Sequence, residues 1–315
     1  AQPAAIVPAA IVGSFGRGAN GAAGPFSPVE QAWLSAGLRP SEYGSVYSFN
    51  AAVGFCGMAI GSGFAALPAV WHSALPGALA YRPLFVLVLI GSLAPLAMLL
   101  RMQDTKGPIG GPIGPRKEIA EAKPTKPADR RRERGLLLRL VGINALNGLG
   151  IGIIGPFMAF WFALKFGVGP ASIAPVLAAG FLLAMLSSLG TGRLTRRLGM
   201  VRSVVVMRTA GLVLLVLLPF APTYTLAAIC YVLRSACNRG TAGARQAVGL
   251  RLVGAERRGL AASLNTSSMQ IPRALGPTLG GLLLDSHMLA LPLLLAAALQ
   301  GAYIAFYRVA FRSVE

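Results

Sequence analysis

Acidic side chains are scarce in this sequence: Asp and Glu number 10 among 315 residues, against 29 Lys and Arg. Charged residues of both signs reach only 12%, where a soluble domain carries about 25%. So few charges cannot solvate a globular surface, and 55% hydrophobic residues with a mean hydropathy of +0.64 exclude disorder. Cysteine is nearly absent too. Cys56, Cys230 and Cys237 fall inside apolar segments at no metal-ligand spacing, so neither a disulfide framework nor a metal site is expected.

What is present is a regular series of apolar runs, each near the roughly 20 residues a transmembrane helix needs. Clear spans are expected over 45–70, 83–101, 136–163, 171–191, 203–221, 224–244, 260–284 and 288–307, with a weaker one over about 3–25 interrupted by Arg17. The net charge of +19 would suggest nucleic acid if it formed one patch. Instead the cations sit in clusters between apolar runs, which excludes that partner and points to the lipid bilayer. The basic clusters alternate with nearly uncharged turns. Residues 106–134, 192–202 and 245–258 and the tail with Arg308 and Arg312 are rich in Lys and Arg, whereas the Ala221–Pro222–Thr223 turn carries no charge and the 285–287 turn carries Asp285 and His287. The 102–134 segment and the C-terminus are therefore expected in the cytoplasm, in a multi-pass protein of the plasma (inner) membrane of a bacterium.

Residues 102–134 break the apolar series with GPIGGPIGP and a charged stretch, a composition that cannot bury a core. Three units follow: 1–101 with about three spans, the 102–134 linker, and 135–315 with six. An internal repeat agrees with two related halves. Arg17-Gly18-Ala19-Asn20-Gly21-Ala22 matches Arg239-Gly240-Thr241-Ala242-Gly243-Ala244, and Gly44…Ser48-Phe49-Asn50 matches Gly259…Ser263-Leu264-Asn265 in the same order.

With these features the chain resembles the major facilitator superfamily of transporters. Gly192-Arg193-Leu194-Thr195-Arg196-Arg197-Leu198-Gly199 is similar to the family's loop signature G-x-L-x-D-R-x-G, with Arg196 in place of the Asp. Arg17-x-x-Asn20-Gly21 resembles R-x-x-Q-G of the fourth helix, and Gly276-Pro277-x-x-Gly280-Gly281 resembles the G-P-x-x-G-G packing motif. The resemblance implies an all-α polytopic bundle in which about nine of twelve helices are present. By that correspondence the first three are absent, so an N-terminally truncated member, unable to transport by itself, is expected. The implied activity is transport of a small solute by alternating access, an efflux permease being one form, in a monomer that uses a coupling ion where transport is driven. The competing expectation is a non-transporting scaffold, sensor or inactive transporter fragment.

Candidate site residues follow from the cost of polar groups in lipid. A charge at the bilayer centre costs about 2.5–3.5 kcal/mol even on the mildest scale, so an Arg inside a span faces a wet cavity or a partner. Arg17, Arg234, Arg239 and Arg273 qualify. Arg234, Asn238, Thr241 and Arg245 fall at i, i+4, i+7 and i+11, one face of a helix, although Arg245 and Arg239 could snorkel to headgroups. The resemblance makes this the tenth helix, which in the family lines the central cavity. Asn144 and Asn147 form a polar face one turn apart, ahead of Gly155-Pro156, where the helix can bend. Asn265, Ser268 and Arg273 form another. Gly192, Arg196, Arg197 and Gly199 are the candidate gating loop. Gly276, Pro277, Gly280 and Gly281 read better as a packing seam, and the aromatics Phe157, Phe160, Trp161 and Phe162 as packing.

No mid-membrane carboxylate is available to carry a proton. Enzyme chemistry fails on inventory: His72 and His287 lie in outer turns, and there is no G-x-S-x-G, aspartate dyad or H-E-x-x-H. No cofactor is expected.

Overall fold

The computed structural model describes residue 31 and residues 42–64, 67–71, 73–101, 127–252, 258–285 and 288–312. The weak first span, with Arg17 and its motif, lies outside them. The described elements are helical: α1 Tyr43–Phe64, α2 Pro68–Trp71, α3 Arg82–Arg101, α4 Pro127–Ile154, α5 Met158–Phe166, α6 Pro170–Leu198, α7 Met200–Leu217, α8 Tyr224–Arg239, α9 Ala242–Arg251, α10 Arg258–Asp285 and α11 Leu291–Phe311. Short 3-10 turns occupy Gly77–Tyr81 and Leu218–Phe220, and no strand occurs among the described residues. The architecture is an all-α membrane bundle.

Local chemistry sets the helix ends. Pro156 follows Gly155 and separates α4 from α5, because a proline ring cannot continue the hydrogen-bond ladder. Pro170 starts α6, where its missing N–H costs nothing. The Thr223 hydroxyl caps α8 by accepting from the Leu226 amide at 3.3 Å. Gly199, at φ +84°, turns the chain from α6 into α7 in a conformation that side chains with a Cβ rarely adopt.

Two expectations need correction. The 224–244 span is not one helix: α8 stops at Arg239 and α9 restarts at Ala242. Gly240 is pressed against α6, since a Cβ there would lie 2.2 Å from the Ser187 hydroxyl, and Thr241 turns its own hydroxyl back to the Asn238 carbonyl at 2.8 Å. The helix α4 also begins inside the charged linker, at Pro127, because Ala, Arg and Glu after an N1 proline are good helix formers.

Among the described residues, four helices are long and apolar enough to cross a membrane by length and composition: Glu133–Ile154, Pro170–Leu198, Met200–Phe220 and Leu291–Phe311. The other expected spans coincide with α1, α3, the α8–α9 pair and α10, which carry glycine, proline or polar residues or are broken. Two faces are plain on α8, where Leu226, Ile229 and Leu233 point outward while Tyr231, Arg234, Ser235 and Asn238 are buried. On α10, Ile271, Leu275, Leu279 and Leu282 are likewise exposed beside buried Gly276 and Gly280. Apolar side chains outside and polar ones inside invert the soluble pattern, as lipid requires.

With α4–α5 and α8–α9 each running on as one broken span, successive spans alternate in direction, so the starts of α4, α7 and α10 and the ends of α6, α9 and α11 share one end of the bundle. That end is the basic one, and it is closed by a cluster including Leu140, Val204, Ala247, Tyr303, Tyr307 and Phe311, joined by Tyr43 and Tyr47 from α1. The opposite end is closed by Ile153, Met158, Trp161, Phe162, Leu215, Tyr231 and Leu293. Of the aromatics, Trp161 and Phe162 pack here, with the Trp161 indole donating to the Leu289 carbonyl at 2.9 Å, while Phe160 faces outward.

Candidate functional site

Between the two apolar clusters lies a polar layer enclosing a cavity of about 190 Å³. It is built by α4, the start of α5, α7, α8, α9 and α10, with Phe55 of α1 and Gln31 on the remaining side. Asn144, Arg234, Asn238, Arg239, Asn265 and Arg273, all expected from the sequence, line it. Asn147 and Thr241 are fully buried next to that lining rather than in it.

Close backbone approach brings α4 and α10 together around this layer. A Cβ on Gly148 would lie 2.1 Å from the Met269 carbonyl oxygen, and one on Gly152 2.3 Å from that of Arg273. From the other side, a Cβ on Gly276 would come within 2.4 Å of the Gly152 carbonyl carbon and one on Gly280 within 2.2 Å of the Ile153 carbonyl oxygen. Gly276 and Gly280 therefore do form a seam, with Gly148 and Gly152 as their counterparts. Gly281 only meets the Phe157 ring at an ordinary 3.5 Å, so the crossing does not need its missing side chain. Pro277 lies one residue beyond Gly276, half-buried within α10. The Asn144 amide locks the same pair of helices, donating to Asn265 Oδ1 at 2.8 Å and to the Ser268 hydroxyl at 3.3 Å.

Two further arginines complete the cavity. Arg208 of α7 is 2% exposed, donates to Asn147 Oδ1, and lies 4.7 Å from the centre of the Tyr303 ring. Arg245 of α9 lines the cavity and leans on the Met269 sulfur at 3.9 Å, so it does not simply snorkel outward. Arg239 stacks over Phe181 at 4.1 Å. Each of these contacts holds a guanidinium in place without neutralising it. The charges repel in a chain, Arg208 with Arg234 and Arg245, Arg234 with Arg239, and Arg239 with Arg273. No described lining residue is Asp or Glu.

Arg208 was missed from the sequence although the signal was there. It sits near the middle of an apolar span, where the depth argument that selected Arg234 applies equally. Tyr303 and Gln300, which face Arg208 and Asn238 from α11, carry no such signal, because an aromatic or amide on a helix can equally serve packing.

Residues 140–313, more than half of the chain, match the family model described as Major Facilitator Superfamily. The chain belongs to the major facilitator superfamily. No curated protein is matched by it. Members of this superfamily carry solutes across membranes, and the matched residues are those that build the cavity apart from Phe55 and Gln31. The superfamily loop signature lies at the α6–α7 junction. Gly192 is buried against Ser45 of α1, with 3.7 Å between its would-be Cβ and the Ser45 Cα. Arg196, standing where the superfamily has Asp, donates from Nη1 to the Ser45 hydroxyl at 2.8 Å, and Arg197 is exposed. A second tie runs from the Ser188 hydroxyl to the Ser48 carbonyl at 2.8 Å, so α6 is bonded to α1 twice.

Proposed function

We propose that the protein is a secondary transporter that moves a small solute across the plasma (inner) membrane of a bacterium by alternating access, with Arg234, Asn238, Arg239, Asn265 and Arg273 contacting the solute. The observation that carries this reading is the polar cavity held between apolar clusters at the two ends of one bundle. A midplane site between elements that rock past each other is what alternating access needs. The Gly155-Pro156 break between α4 and α5 and the Gly240 break between α8 and α9 border that site and supply two places to bend. Arg196, bonded to Ser45, belongs to the gate, opening when α6 moves from α1.

The test is solute flux in liposomes reconstituted with the purified protein. Arg234→Ala and Asn147→Ala are expected to lower flux about 10- to 100-fold, the loss of one charge-assisted hydrogen bond, with membrane insertion unchanged. Asn147 acts through Arg208, which it positions. Full flux in both well-expressed variants would return these residues to packing. The alternative reading, a non-transporting scaffold or sensor, draws on the loss of the acidic residue at Arg196 and is the outcome if no solute moves.

Sidedness is a separate expectation. Reporters fused after Arg134, Arg202 or Arg258 should be cytoplasmic, and one near His287 should lie across the membrane. Opposite sides for the 120–134 and 245–258 segments would overturn the orientation.

A further inference from the structure

We propose that the solute is a small organic anion carrying two or more oxyanion charges, gripped by Arg208, Arg234, Arg239, Arg245 and Arg273. This rests on the transport reading above and names its substrate class. Five guanidiniums share one cavity whose described lining has no carboxylate. Arg208 and Arg234 are at least nine-tenths buried, and the Nε atoms of Arg208, Arg234 and Arg245 and Nη1 of Arg239 are buried donors without an acceptor. The Ser235 hydroxyl beside them is also without a partner.

Buried donors left unpaired are costly, and buried charges more so. Their neutral supports, Asn147, Tyr303, Phe181 and Met269, fix the guanidiniums in position and leave the charge undischarged. Planar forks held this way match carboxylate or phosphate oxygens two at a time. A neutral solute leaves Arg208, Arg234, Arg239 and Arg245 facing one another with donors unpaired, a cationic solute adds to their repulsion, and a single negative charge still leaves three of these four uncompensated. A cavity of about 190 Å³ is also below the roughly 300–1,000 Å³ of drug-sized pockets, which disfavours a bulky hydrophobic solute.

Thermal unfolding of the purified full-length protein in detergent, at fixed ionic strength in a gluconate buffer, tests this. Succinate and glycerol 3-phosphate serve as dianion probes, succinamide and glycerol as their neutral counterparts, and putrescine as the dication. The dianions should raise the Tm by several degrees at millimolar concentration, and the other three should not. Asn238→Asp is isosteric and places a carboxylate among the arginines, while turning over the Gln300 amide offers its unpartnered Nε2 to the new oxygen. This variant should be more stable than the parent without any probe and should show a smaller dianion response. Should it fail to fold, Arg234→Gln and Arg239→Gln carry the test, each keeping the parent's Tm or raising it while shrinking the dianion shift. Equal shifts with succinamide, glycerol or putrescine, no shift with either dianion, or dianion shifts unchanged in the variants would overturn the anion site. The two readings fail separately. Dianion stabilisation without any liposome flux keeps the anion site and removes transport, whereas flux of a neutral or cationic solute without dianion stabilisation does the reverse.

Discussion

Gly152→Ala and Gly276→Ala are each expected to destabilise the protein by at least about 1–3 kcal/mol, read as a lower unfolding temperature and loss of a monodisperse peak in detergent. At both positions the added methyl meets main chain of the facing helix at 2.3 to 2.4 Å, and main chain cannot rotate away as a flexible side chain can. The helices α4 and α10 must then separate along a crossing that includes Gly148 and Gly280, and the Asn144 bonds to Asn265 and Ser268 lengthen with it. In lipid no hydrophobic force pulls the helices back, because apolar side chains are as well solvated outside as in the interface. The matched control is Gly142→Ala, at an exposed position of α4 with open space around it. There alanine should stabilise by about 0.5–1 kcal/mol, since glycine in a helix interior is the poorer helix former. Because Gly152 and Gly276 touch each other, their double variant should cost less than the sum of the singles. Near-neutral values for both singles would mean that the crossing is looser than the backbone distances require.

Arg208→Met is expected to abolish most transport while leaving stability equal or higher. The guanidinium is 2% exposed, supported by Asn147 and the Tyr303 ring, and repelled by Arg234 and Arg245. Removing one partner of a buried ion pair is costly because the other charge is stranded, but the supports of Arg208 are neutral, so methionine removes a buried charge and strands only the Asn147 carbonyl. That lost acceptor pairing costs about 1–3 kcal/mol, against which the relieved desolvation and repulsion weigh in the other direction. For the solute the change runs one way. A charge-assisted hydrogen bond worth about 1.5–3 kcal/mol disappears, so flux at limiting solute should fall about 10- to 100-fold. Arg208→Lys keeps the charge without the planar fork and should recover only part of it. A variant that loses stability as well as flux would assign Arg208 to structure alone.

The membrane class was legible in composition, and the helix positions followed from runs of about 20 apolar residues, because a bilayer leaves each span no choice but to satisfy its own backbone. Depth made Arg234, Arg239 and Arg273 stand out for the same reason, and the spacing of small residues announced Gly276 and Gly280. The sequence could not say where a span breaks when no proline marks it. The 240–241 interruption follows from Gly240 pressing on Ser187 of α6, a contact 53 positions away in the chain. Nor could it tell which of several inward-pointing groups meet. Arg208 joins Asn147 and Tyr303 from three different helices, and Arg245 lines the same cavity from α9, beyond the break after α8. Local pattern fixed which residues avoid lipid; the choice of partners among them was left to tertiary packing, because helices that cross at glycine seams bring together side chains that no periodicity within one helix relates.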